Sequence, residues 1–135
     1  MDIFERFKKK KEPNININEI ITDTIEDLKN NPEACTLIGG ENIEDGKVTI
    51  PESMLGEKLK TFVRYFYDSD LVDKEYMENE KLIKEKDINE LTYKEVGTEL
   101  TSIIRGDRFC SGLIYSKVKD GTFLKLLERL QKVIK

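Results

Sequence analysis

No histidine occurs anywhere in this sequence, and its absence excludes Ser-His-Asp and Cys-His catalysis, histidine-ligated zinc and the side chain that most readily exchanges protons near pH 7. There are only two cysteines, Cys35 and Cys110, too few for a structural zinc site. They stand far apart in a chain with no secretory leader, so reduced thiols in a cytoplasmic protein are expected rather than a disulfide. No apolar run is long enough to span a bilayer. Internal repeats and low-complexity segments are also missing, which sets aside solenoids and linker-like chains.

What the sequence does have is charge. Charged residues make up 37% and apolar ones 38%, with clear apolar periodicity, as in a folded helical protein rather than a disordered chain. At 135 residues it fits one domain whose core needs no metal or disulfide staple. The net charge of −4, from 23 basic and 27 acidic residues, argues against general nucleic-acid binding. The distribution is uneven. From Arg105 to Lys135 eight basic residues face three acidic ones, a net +5 that leaves −9 for the first 104 residues. A basic C-terminal third can meet an acidic partner or neutralise the rest of its own domain, and the second is the simpler expectation.

Residues 1–13 carry Ile3, Phe4 and Phe7 followed by Lys8 to Lys11 and read as a flexible basic N-terminal segment, with at most a weak attraction to an anionic membrane. Residues 14–135 read as a single helical domain. Asn18 is placed to cap a helix carrying Ile20, Ile21, Ile25 and Leu28, which Asn30-Asn31-Pro32 ends. Cys35 to Gly40 and Lys47 to Ile50 are short β-type runs, predicting a small hairpin near residues 35–50. Gly39-Gly40 lacks the remaining residues of a P-loop or a dinucleotide fingerprint and is assigned to a turn. Pro51 and Ser53 are expected to open a helix with Leu55, Leu59, Phe62, Val63 and Phe66 on one face, the strongest helical pattern in the chain. Tyr65 and Tyr67 fall at its edge. Val72 to Lys86 is expected to be a short charged helix or a turn-rich link with Tyr76, Met77, Leu82 and Ile83 turned inward. The carboxylates between Asp68 and Glu80 form no calcium loop and read as a solvated face.

Further on, Thr92 with Glu95 three residues later forms a capping-box pattern for a helix through Val96, Leu100, Ile103, Ile104 and Arg105. Gly106 is expected to close it in the left-handed conformation, and Asp107 to cap the next helix, whose apolar face is Phe109, Cys110, Leu113, Ile114 and Val118. The two helices would then meet at a corner of one or two residues. Gly112, inside the second helix, would allow close approach of another helix or a ligand. Asp120-Gly121 ends this helix, and Thr122 opens a last one with Phe123, Leu127, Leu130 and Ile134 on one face. The fold class is mainly α: a compact bundle of five or six helices plus the hairpin, with the last three helices forming the core.

The corner supplies the candidate ligand-binding residues Arg105, Asp107, Arg108 and Gly112. Structurally, Arg105 can pair with Asp107 or with the terminal carbonyls of its helix. Functionally, two guanidinium groups and open amides at a helix N-terminus can hold a phosphate or carboxylate, against which the charge of Asp107 counts.

The segment IIRGDRFCSGLIYSKVKDGTFLKLLERL resembles the C-terminal signature of a family of small bacterial proteins of unknown function, I-x-R-G-x-R-F-x-x-G followed by an acidic residue, a glycine and a leucine-rich last helix. Asp120 and Gly121 stand for the acidic residue and glycine, and the likeness reaches back to Ile38-Gly39-Gly40 and to Phe62 to Tyr67. The resemblance implies no activity. Similar segments accompany proteins that handle ADP-ribose, so it implies that ligand class as one candidate for the corner.

Three functions remain open: a non-enzymatic module binding a protein partner, which is preferred; an anion- or nucleotide-ligand domain using the arginine corner, with or without enzymatic action; and nucleic-acid binding through the basic C-terminal third, the least favoured. No catalytic residue, metal ligand or cofactor is predicted. The oligomeric state is not fixed by these patterns.

Overall fold

The computed structural model describes residues 17–39 and 51–134. The basic segment 1–13 and the expected strand Lys47 to Ile50 lie outside the described residues. Six α-helices and a two-stranded antiparallel sheet make up the described part, a mainly α fold. No described helix is long and apolar enough to cross a membrane.

Helix α1 (Ile17–Asn30) buries Ile20, Ile21, Thr24 and Ile25, the stripe that a 3.6-residue repeat places on one side. Asn18 lies inside its first turn rather than at its cap, as the helix already includes Ile17. Asn31 ends it: its amide reaches the Asp27 carbonyl, and its side chain accepts from the Glu33 amide. Strand β1 (Cys35–Ile38) pairs with β2 (Glu52–Leu55), Cys35 opposite Leu55 and Leu37 opposite Ser53.

The expected helix start at Pro51 to Ser53 is therefore corrected. Those residues are extended, and helix α2 spans Glu57–Tyr67. Leu55 falls in step with the helical repeat by coincidence; as a strand residue it packs on the same core. In α2, Leu59, Phe62 and Phe66 are fully buried, and Phe62 meets Phe123 of the last helix edge to face at 6.1 Å.

Helix α3 (Tyr76–Ile83) leads through a 3₁₀ turn (Ile88–Glu90) to α4 (Tyr93–Gly106). Only Ile83 of α3 is fully buried, with Tyr76, Asn79 and Glu80 partly so. Met77 and Leu82, expected to point inward, are exposed. In a helix of eight residues the face 76, 79, 80, 83 takes the core, and 77 and 82 fall outside it. The Thr92–Glu95 capping box is present with both hydrogen bonds.

Helices α5 (Leu113–Lys119) and α6 (Thr122–Val133) complete the chain. The last three helices do not make the core alone. Helix α6 packs against α1, α4 and α5, and its buried Phe123, Leu126, Leu127 and Leu130 share one cluster with Ile21, Leu59, Phe62 and Leu100. Helix α5, with two turns, fully buries only Ile114. The β1–β2 pair lies against α5.

Candidate functional site

The segment between α4 and α5 is longer than the sequence suggests. Gly106 is the last residue of α4 and is not left-handed, and Asp107 continues the helical turn, its amide bonding the Ile103 carbonyl. Tight turns carry the chain through Arg108, Phe109 and Cys110, and the left-handed residue comes at Gly112, with φ of +81°. Gly112 thus precedes α5 instead of lying within it. A β-carbon there would stand 3.0 Å from the end of the exposed Leu37 side chain, which can move aside, so it is the backbone conformation that favours glycine. Phe109 and Cys110, expected on the apolar face of the helix, are exposed on the turn before it.

Asp107 still caps α5, from a distance. Its Oδ1 accepts from the Ile114 amide at 2.9 Å and from the Ser53 hydroxyl at 2.9 Å, while Ser53 Oγ accepts from the Tyr115 amide at 3.0 Å. The Leu113 and Ser116 amides bond the Cys110 and Gly112 carbonyls. Every first-turn amide of α5 is therefore engaged within the protein. The same carboxylate is felt by Cys35, whose thiol is pushed up to about 11 by burial and, secondly, by the negative charge of Asp107. Cys35 is a buried, unreactive thiol.

The four corner residues are not brought to one place. Asp107 and Gly112 face the hairpin and α5. Arg108 is exposed, and Arg105 is half-buried on another side. Among the described residues, neither guanidinium forms a hydrogen bond or an ion pair, so the expected pairing of Arg105 with Asp107 or with terminal carbonyls is replaced by Ser53 and the Ile114 amide. Arg105 instead borders a shallow groove of about 430 Å³ between the first turn of α3 and the last turn of α4, lined by Lys74, Glu75, Tyr76, Met77, Glu78 and Phe109. Phe109 is 83% exposed and Met77 63%.

A second cleft, of about 470 Å³, opens where residues 70–74 cross α4 beside α3. Asp73 lines it. Burial raises this carboxyl's pKa, but hydrogen bonds from the Thr98 hydroxyl (2.6 Å), the Asn79 amide group (2.8 Å) and the Glu75 backbone outweigh it and hold the group below the usual carboxylate value. The Asp73 amide donates to Thr101, itself buried. Asp70, which also lines the cleft, accepts from the Tyr93 hydroxyl at 2.6 Å, and that hydroxyl is pushed up to about 12 by burial and by the carboxylate. Lys86 and Glu95 form an ion pair at 2.8 Å. These polar groups already have protein partners, so the cleft reads as a brace between the crossing segment and α4. Among the described residues no group of carboxylates or cysteines is arranged to hold a metal ion.

Sequence reasoning missed this brace. Its one signal was Gly97 in the middle of a well-capped helix: a β-carbon there would lie 2.3 Å from the Leu71 carbonyl oxygen, so the crossing segment rests directly on the helix backbone.

The family model described as "Family of unknown function (DUF6508)" matches residues 15–135, and the chain belongs to that family. No curated protein and no solved structure matches it.

Proposed function

We propose that this member of a family of unknown function is a non-enzymatic protein-interaction module, and that its contact surface is the groove of Tyr76, Met77, Arg105 and Phe109. The observation that carries this reading is Phe109, 83% exposed beside Met77, 63% exposed, with Arg105, which has no hydrogen-bond or ion-pair partner among the described residues, in the same groove. Single exposed apolar residues are ordinary, but Phe, Met, Tyr and Arg together are the side chains enriched in protein interfaces and in their energetic centres. Burying one aromatic ring removes on the order of 150 to 250 Å² from water.

The other two readings have less support. An anion or ADP-ribose bound by Arg105 and Arg108 would have to do without the α5 amides, which Asp107, Ser53 and the preceding carbonyls take. In the basic C-terminal third, the Arg129 guanidinium is committed to the Leu91 carbonyl, and the chain as a whole carries a net charge of −4, which opposes a polyanion. The same reading places the chain in the cytoplasm, where an exposed free thiol such as Cys110 persists in reduced form.

The test is a photo-crosslinking phenylalanine analogue at position 109 in the cells that make the protein. The expected result is a discrete protein adduct that Met77→Glu abolishes. Labelling no greater than with the analogue at exposed Lys125 would overturn the reading.

A further inference from the structure

The groove carries charges of both signs in equal number: Lys74 and Arg105 against Glu75 and Glu78. None of the four side chains forms an ion pair with a described residue. The three ion pairs among described residues are Lys29–Glu128, Lys58–Asp23 and Lys86–Glu95. A surface evolved for a strongly acidic or basic partner would carry mainly one sign. A two-fold contact is different, because the patch must complement its own copy and so needs both signs, together with both a projection and a hollow. This patch has them. Phe109 projects from the turn after α4, the hollow lies beside Tyr76 and Met77 on α3, and the two are neighbours on one face.

We infer that the occupant of the groove is a second copy of this chain, joined about a two-fold axis so that Phe109 of each copy enters the other's hollow and the basic pair of each faces the other's acidic pair. The inference rests on the interaction reading above and names its partner.

Sedimentation equilibrium on the full chain tests it. Wild type is expected to be a dimer, and Phe109→Ala and Met77→Glu are each expected to weaken association by about thirtyfold or more, the effect of losing an interface hot spot. Circular dichroism melts confirm that the variants fold. The charges supply a second, independent test. Glu75→Lys with Glu78→Lys makes one patch wholly basic, and Lys74→Glu with Arg105→Glu makes another wholly acidic. Each double variant should be monomeric alone, and an equimolar mixture should form a heterodimer. A wild type still monomeric at about 1 mM, or a dimer indifferent to all these changes, overturns the inference. If the wild type is monomeric yet the analogue at position 109 captures a different protein, only the choice of partner fails. If nothing is captured, the interaction reading fails as well.

Discussion

Ser53 and Asp107 lie 54 positions apart, and the serine hydroxyl donates to the carboxylate at 2.9 Å. Between them they satisfy the second and third amides of α5, which ties the hairpin to the turn that carries Phe109. A cap assembled from a distant strand and a preceding helix end fixes where α5 begins.

This joint gives a first prediction. Asp107→Ala leaves the Ile114 amide and the Ser53 hydroxyl without their acceptor and is expected to cost about 1 to 3 kcal/mol of stability. Ser53→Ala should cost less, since Asp107 keeps the Ile114 amide. The double variant should fall short of the sum by about 0.5 kcal/mol or more, because both act through one network. Urea unfolding of the four proteins measures this, and strict additivity would show the two to be independent.

Gly97 supports a second prediction. In most helix interiors replacing glycine with alanine gains up to about 1 kcal/mol. Here the new methyl would meet the Leu71 carbonyl oxygen at 2.3 Å, a backbone atom that cannot rotate away. Gly97→Ala is expected to lower the unfolding midpoint, by about 1 to 3 kcal/mol of stability, as overpacking does. A midpoint unchanged or raised would mean that residues 70–74 do not rest on α4.

The pH dependence of Asp73 follows from its hydrogen bonds. Its carboxyl lies below its ordinary value of 3.8 when folded, so the unfolded chain takes up a proton first. The associated stability is present above about 3.8 and is lost as pH falls through the folded value. Thr98→Val removes one of the bonds that depress it. The stability advantage of wild type over Thr98→Val should therefore shrink on acidification from about pH 6 to about pH 2. Denaturant midpoints across that range would contradict the assignment if the gap stayed constant or widened.

Much of this arrangement was legible in the sequence, and the parts that were not have physical causes. The capping box at Thr92 and Glu95, the stop at Asn31 and the apolar face of α6 are local signals whose meaning does not depend on the rest of the chain. Ser53 looks like the opening of a local helix, but its hydroxyl serves a helix more than fifty residues away, and α2 starts later, at Glu57. Asp107 is the capping residue its type suggests, but it caps across seven positions rather than at the adjoining turn, which sequence spacing cannot reveal. Met77 and Leu82 suit a buried face in composition, but α3 is too short to bury more than one stripe. The groove is invisible in the sequence because it joins α3 to the end of α4, and one of its principal members, Phe109, falls in the pattern of the next helix's apolar face.

The arginines allow the last prediction. Arg108 is exposed, and neither it nor Arg105 has a hydrogen-bond or ion-pair partner among the described residues. Removing a side chain that satisfies no buried group leaves nothing unsatisfied, so Arg108→Ala should change stability by no more than about 0.5 kcal/mol. Arg105→Ala should match it once the protein is dilute enough to be monomeric. If the corner were an anion site, nucleotides or ADP-ribose would raise the wild-type melting midpoint, and both variants would lose that gain. The engaged amides of α5 lead us to expect no such gain. Thermal melts of the three proteins, each with and without the ligands, separate the cases: a ligand-dependent rise that either arginine variant abolishes would restore the anion site, and a large ligand-independent fall would mean that a guanidinium has a structural partner after all.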